Sequence, residues 1–201
     1  MSRVGIYGGT FDPIHIGHLH VITQLIEKGI VDLLLVVPAG EPLLRSHAPR
    51  ATAQQRRQMC QLALSDLPPE VAKKVQVNPI EVLRTGPSYA IDTVEAVAQN
   101  YPDDSIVLIV GQDAADKLDQ WQRIDELRSM VEFVAIARPA GARKENYYDI
   151  AFASREGTEE RILSTSRWPV DEQIRSYLFF FEDASGSITY RAVDEFVVEE
   201  K

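Results

Sequence analysis

The chain carries several runs of consecutive apolar residues that are too short for helices of ordinary length and too continuous for strands with one wet face. They are Val4-Gly5-Ile6-Tyr7, Val31-Asp32-Leu33-Leu34-Leu35-Val36-Val37 ending at Pro38, Ser105-Ile106-Val107-Leu108-Ile109-Val110, and Glu132-Phe133-Val134-Ala135-Ile136-Ala137. Such runs suit strands covered on both faces, as in parallel sheets. Between them lie stretches of helical period: Leu19, Ile22, Leu25 and Ile26 within Leu19 to Gly29, and Met59, Leu62 and Ala63 behind a Thr52 cap with Gln55 reaching back. Tyr89 to Asn100 adds another, with Ile91, Val94, Val97 and Ala98 inward. The order also includes a strand from Val75 to Ile80 ended by Pro79, a short helix from Ala114 to Leu118, and a helix from Ile124 to Met130. Strands alternating with helices predict an α/β domain with an open parallel sheet, right-handed crossovers and helices on both faces. Ligands of such sheets sit at the carboxyl ends of the strands, where the segments after Tyr7, Val37 and Val110 emerge.

A length of 201 residues suits a single domain, 1–201. Its α/β core is expected over 1–139, with a less regular C-terminal part over 140–201. There Pro139 to Ser166 reads as surface loop, Trp168 to Phe181 as a helix leading into an aromatic run, and Tyr190 to Glu200 as a terminal helix. The formal net charge of −9 argues against nucleic acid as a partner, because phosphate backbones are bound by clustered Lys and Arg. No apolar run approaches a membrane span, and the first strand starts without a charged and then apolar leader, so the expected location is the cytoplasm, with no membrane partner. Cys60 is the sole cysteine, which excludes an intramolecular disulfide and a cysteine-based metal cluster. A homo-oligomer is compatible with the sequence, which does not specify one.

The chemistry concentrates in Gly8-Gly9-Thr10-Phe11-Asp12-Pro13-Ile14-His15-Ile16-Gly17-His18, between the first strand and the first helix. A helix start leaves backbone N–H groups without partners and carries the positive end of the macrodipole. Paired glycines let an anion approach the backbone with no Cβ in the way. His15 and His18 are spaced to share one helix face, where two imidazoles can donate hydrogen bonds to phosphate oxygens that gain charge during transfer. Gly-Gly alone marks a turn and a lone histidine marks nothing, but the joint context points to a phosphate site. Neither Gly-x-x-x-x-Gly-Lys-Ser/Thr nor Gly-x-Gly-x-x-Gly follows the first strand. In a chain this acidic, positive potential must be gathered in one cleft.

The run Gly8 to His18 resembles the Gly-Gly-Thr-Phe-Asp-Pro-x-His-x-Gly-His signature of the nucleotidylyltransferase superfamily, and within it the bacterial nicotinate-nucleotide adenylyltransferases. Gly86-Pro87-Ser88-Tyr89-Ala90-Ile91-Asp92-Thr93 resembles that family's Pro-Ser-Tyr-Thr-x-Asp-Thr segment, and Ile109-Val110-Gly111-Gln112-Asp113-Ala114 its Ile-Gly-x-Asp-Ala segment. The resemblance implies a Rossmann-like sheet of nucleotidylyltransferase type and adenylyl transfer from ATP to nicotinate mononucleotide. It also implies that His15 and His18 meet the α- and β-phosphates, and that Gly8, Gly9, Thr10 and Phe11 contact the nucleotide, with Gly111 and Asp113 beside the ribose. Ser88, Tyr89 and Thr93 are then expected to bind the acceptor, with Trp121 stacked on its pyridine ring. Mg²⁺ is expected to arrive with ATP, since no carboxylate cage is visible.

The family pattern is altered in two places. Where it carries Asn-Pro-Pro-His-Lys this chain has Glu41-Pro42-Leu43-Leu44-Arg45, so Arg45 takes the place of a catalytic lysine with a planar fork instead of a compact ammonium. Where it carries Ile-Ser-Ser-Thr-x-Ile-Arg at a helix N-terminus the best match is Ile162-Leu163-Ser164-Thr165-Ser166-Arg167, which implies Ser164, Thr165 and Arg167 on the outer phosphates. These changes leave two other readings open: transfer to a different phosphorylated acceptor, and a nucleotide-binding paralogue with impaired turnover.

Overall fold

Strand β1 (Arg3–Gly9) is the centre of the sheet, because the chain leaves it in one direction and later returns on its other side. The computed structural model describes residues 1–43, 48–137, 143–144, 147–156, 159–169, 177–182 and 188–193, with side chains up to 136 other than those of 112 and 113. After β1 come α1 (Ile16–Glu27), β2 (Leu33–Pro38), α2 (Ala53–Leu64), α3 (Pro69–Ala72), β3 (Val75–Val77), α4 (Ile80–Leu83) and α5 (Ala90–Asn100). Then follow β4 (Ser105–Gly111), α6 (Gln112–Ala115), a 3-10 turn at Leu118–Gln120, α7 (Ile124–Met130) and β5 (Val131–Ala137). Beyond these lie β6 (Arg143–Lys144), β7 (Tyr147–Glu156), β8 (Glu159–Pro169), β9 (Tyr177–Glu182) and β10 (Ile188–Val193).

The five strands β3-β2-β1-β4-β5 are parallel in that order, and β7 then pairs antiparallel with β5. This is the Rossmann-like arrangement expected from the alternation. The period of two within the strands sorts their side chains onto two cores. Tyr7, Leu34, Val36, Val107 and Ile109 pack with Ile22 and Leu25 of α1 and with Met59, Cys60 and Ala63 of α2. Val4, Ile6, Leu35, Val37, Leu108 and Val110 pack on the other face with Ile91, Val94 and Val97 of α5 and Leu127 of α7. Ile22, Leu25, Val94 and Val97 are fully shielded, each worth roughly 1.5–3 kcal/mol of burial. No helix among the described residues is long and apolar enough to cross a membrane.

Several sequence expectations need correction. Leu62 faces outward at 36% exposure, whereas Met59 and Ala63 are buried as expected. The strand expected to reach Ile80 stops at Val77, because the Asn78 side chain accepts the Ile80 N–H at 3.0 Å and turns the chain into α4. The expected helix from Ala114 to Leu118 is α6 followed by the 3-10 turn. The region expected to be a loop up to Ser166 supplies β6, β7 and most of β8. Trp168 belongs to β8, Tyr177 to Phe181 to β9, and Tyr190 to Val193 to β10, so neither expected C-terminal helix forms over those residues. The rest of those two segments lies outside the described residues.

Candidate active site

The register of the sheet locates the crevice. Strand β1 pairs with β4 from Arg3↔Ser105 to Tyr7↔Ile109, but its pairing with β2 continues through Gly8↔Val37 and Gly9↔Pro38. Beyond Tyr7 and Ile109 the two central strands therefore separate at their carboxyl ends, at the point where strand order reverses. A cavity of about 310 Å³ opens there. Gly8, Gly9 and Thr10 of the first loop, Gly111 at the end of β4, Ser88, Tyr89 and Thr93 at the start of α5, and Trp121 all line it. A Cβ built on Gly8 or Gly111 would meet no protein atom within 4 Å, so nothing in the fold itself demands glycine there. Bare backbone is therefore open to the cavity at both places.

His15 is the N-cap of α1 in an extended conformation, and His18 is its third helical residue. The His18 Nδ1 accepts the backbone N–H of His15 at 3.2 Å, which fixes the orientation of the ring at the start of α1. The two imidazoles lie together, with centroids 3.8 Å apart and planes tilted by 35°. Behind them Phe11 packs edge-on to both His18, at 5.1 Å, and Tyr7, at 5.6 Å. Phe11 itself has φ 50 and is 3% exposed, and a Cβ on Gly9 would sit 2.8 Å from its ring. The Phe11 ring therefore lies in the core and not on the cavity wall. Its left-handed backbone turns the ring into the core, where it buttresses His18. Neither histidine is part of the cavity wall; they flank the first loop on the α1 side.

Ser88 and Thr93 border the cavity, but their hydroxyls are already engaged. Ser88 Oγ accepts the N–H groups of Gly40 at 3.0 Å and Glu41 at 3.2 Å and also bonds the Glu81 carboxyl. Thr93 Oγ1 donates to Glu81 Oε1 at 2.8 Å and accepts from Arg84 Nη2 at 3.2 Å. Both residues thus shape the wall of the cavity with hydroxyls that also tie α4 and the loop after β2 to α5. Glu81, buried and bordering the cavity, has its carboxyl pKa raised by burial, against the lowering effect of Thr93, Ser88, Arg84 and Arg56. The Trp121 indole N–H is buried without an acceptor among the described residues. Tyr89 is the N-cap of α5, with an extended backbone that presents its ring at the cavity.

Arg45 lies outside the described residues. Asp113 falls in α6, directly after β4 as expected, and its side chain is not described. Ser164, Thr165 and Arg167 do not start a helix: they lie in β8, opposite Phe152, Ala151 and Asp149 of β7. A strand directs its backbone N–H groups sideways into the ladder, so this segment offers no helix-end cradle for phosphate.

Two residues at the site were not singled out from sequence. Arg56, only 1% exposed, donates from Nη1 to the Thr10 carbonyl at 2.7 Å and from Nη2 to the Gly40 carbonyl at 3.0 Å. The signal was available, since Arg56 shares the helical spacing of Met59, Cys60 and Ala63 and so stands on the apolar face of α2. Glu81 left no comparable mark, because the four-residue α4 is too short for a period to show.

The chain is similar in sequence and in fold to known proteins. Residues 6–180 match the sequence model of the cytidylyltransferase-like family. The chain is 37% identical over 152 residues to a "Probable nicotinate-nucleotide adenylyltransferase" of Shouchella clausii, covering 76% of each chain. It is 33% identical over 153 residues to the nicotinate-nucleotide adenylyltransferase of Bacillus subtilis, covering 76% of this chain and 78% of that one. In fold it is similar to the Plasmodium falciparum nicotinic acid mononucleotide adenylyltransferase solved with NaAD, with a TM-score of 0.62 at 19% identity over 72% of this chain and 69% of the other. The chain belongs to the cytidylyltransferase-like nucleotidyltransferases and, among them, to the nicotinate-nucleotide adenylyltransferase family.

Proposed function

We infer that this protein transfers the adenylyl group of ATP to nicotinate mononucleotide, giving deamido-NAD and pyrophosphate, a step of NAD biosynthesis in the cytoplasm. The observation that carries the reading is the glycine-lined crevice that opens between β1 and β4, with the His15–His18 pair at the α1 end of the same first loop, in a chain of this family. An oxygen of the acceptor 5′-phosphate attacks the α-phosphorus of ATP in line. The bond from that phosphorus to the bridging oxygen breaks, and pyrophosphate leaves with the electron pair. No covalent enzyme intermediate is needed, so catalysis rests on alignment and on stabilising charge at the transferring group.

In this reading His15 and His18 donate to the α- and β-phosphates, with His18 the more important in the transition state, while Gly8, Gly9, Thr10 and Gly111 let the nucleotide lie against bare backbone. Asp113 accepts ribose hydroxyls, and Arg45 supplies a cation to the phosphates. The acceptor ring lies against Trp121 and Tyr89 in a pocket shaped by Ser88 and Thr93. Mg²⁺ is part of the ATP substrate; the described residues contain no group of three or more His, Cys, Asp or Glu side chains able to hold a metal of their own.

The test is pyrophosphate release over a panel of acceptors, including nicotinate mononucleotide, nicotinamide mononucleotide and phosphopantetheine, each with ATP and with CTP. Release that is fastest with ATP and nicotinate mononucleotide is the expected result. Faster release with another acceptor, or tight ATP binding by calorimetry with no release over any acceptor, overturns it.

A further inference from the structure

Arg56 is a cation held almost completely out of water, at the foot of two loops. Its guanidinium reaches three main-chain carbonyls on separate segments: Thr10 in the loop after β1 at 2.7 Å, Gly40 in the loop after β2 at 3.0 Å, and Ala51 before α2 at 3.3 Å. A planar fork of five donors can serve such a set, and a lysine cannot serve it with the same directions. The first loop is tied back to the same region by Asp12, whose carboxylate accepts the N–H groups of Arg50 at 2.7 Å and Ala51 at 3.1 Å. The second loop continues into the acceptor wall, because the N–H groups of Gly40 and Glu41 both bond Ser88. Gly40 can pass there only without a side chain, since a Cβ would collide with the Glu81 carbonyl.

We propose that Arg56, with Asp12 as its counterpart, is a positioning pair that sets the donor loop at Thr10 against the acceptor loop at Gly40 for in-line attack. The guanidinium draws the Thr10 and Gly40 carbonyls inward, so that the two loops hold one spacing at the mouth of the crevice. In-line transfer between two separately bound phosphates depends on that spacing, and a misplacement of about 1 Å costs about 10²-fold in rate. This proposal rests on the adenylyl-transfer reading, in which the Thr10 loop lies against the nucleotide and the Gly40 segment backs the acceptor pocket through Ser88.

The experiment compares the parent protein with Arg56→Lys and Asp12→Asn, measuring kcat, the Kd of ATP and of nicotinate mononucleotide separately by calorimetry, and the folded fraction by circular dichroism. The expected result is a fall in kcat of about 10²-fold in R56K, and a fall of at least tenfold in D12N, with each Kd within about threefold of the parent. A residue that merely held the fold would lower the folded fraction and leave kcat per folded molecule unchanged. D12N, with its half-exposed carboxylate, reads the same spacing if R56K does not fold. Either variant folded with kcat within threefold of the parent, or a loss confined to one Kd, overturns the proposal. A parent protein that releases no pyrophosphate overturns the adenylyl-transfer reading instead.

Discussion

Replacing Gly8 by alanine separates what the fold needs from what the ligand needs. The added methyl would meet no protein atom within 4 Å, and Gly8 does not occupy the left-handed region that side chains avoid. Removing a glycine's freedom from the unfolded chain stabilises by about 0.4–1 kcal/mol where the native backbone suits alanine. At about 2–4 °C per kcal/mol for a chain of this size, Tm should hold or rise by up to about 4 °C. The same methyl would project into the crevice against the ligand, and a displacement of about 1 Å lowers turnover by about 10²-fold, or about 2.7 kcal/mol of activation free energy. Gly5→Ala, three residues earlier on the same strand, is the opposite case. Its Cβ would lie 2.8 Å from Leu34 Cδ1 and 2.9 Å from Val31 Cγ1, both in the packed core. Overpacking of about 1–3 kcal/mol should lower Tm by about 2–12 °C, with turnover per folded molecule kept. Thermal unfolding and pyrophosphate release on both variants decide the matter. If G8A works as fast as the parent, the bare backbone is not a ligand contact and the crevice loses its place in the reaction.

The other expectations address single groups. His18→Ala should cut turnover by about 10²–10³-fold with the circular dichroism spectrum unchanged, as loss of one preorganised donor does; steady-state kinetics showing near-parent turnover would remove His18 from the reaction. Glu81 has its carboxyl pKa raised, with burial the largest cause, so the folded form holds this proton more tightly than the unfolded chain. The stability tied to that proton is present below the ordinary glutamate value and is lost as pH rises through the raised one. Tm of Glu81→Gln minus Tm of the parent should therefore grow as pH rises from 4 to 8, and a constant difference would contradict the assignment. Cys60 is fully buried and its thiol is pushed up to about 12 by burial, despite the nearby Arg56 charge. A disulfide reagent at pH 8 should leave the native protein unlabelled and label it fully in denaturant, and stoichiometric native labelling would show the α2 core to be open.

What could be read in the sequence was local. The central strands announced themselves through continuous apolar runs, because parallel strands are covered on both faces, and the N-terminus of α1 followed from its place directly behind β1. Thr52 and Gln55 form the expected capping box, with Gln55 N–H to Thr52 Oγ1 at 3.2 Å and Thr52 N–H to Gln55 Oε1 at 2.9 Å. What escaped was set by tertiary contact. Whether the Ser88 hydroxyl faces a ligand or the Gly40 N–H depends on a loop 48 residues away, and no local pattern encodes that. Phe11 looked like part of a phosphate loop until its φ of 50 sent the ring into the core.

The segment around Ser164 shows why a motif match needs its structural context. Ser164-Thr165-Ser166-Arg167 has hydroxyls and a cation in nearly the order that an anion-binding helix start would use. The same residues stand among the strand formers Ile162, Thr165 and Trp168, and they pair with Asp149 to Phe152 along β7. Once the segment is in a ladder its N–H groups point alternately toward and away from β7 and do not converge as at a helix start, so its composition alone cannot gather phosphate charge. Of the positive sources described, the N-terminus of α1 and the buried Arg56 both bear on the loop that begins at Gly8, and Arg84 reaches Thr93 in the cavity wall. In a chain of net charge −9, positive potential is gathered at few places, and these are among them. Substitutions there should act on turnover far more than equal changes along β8.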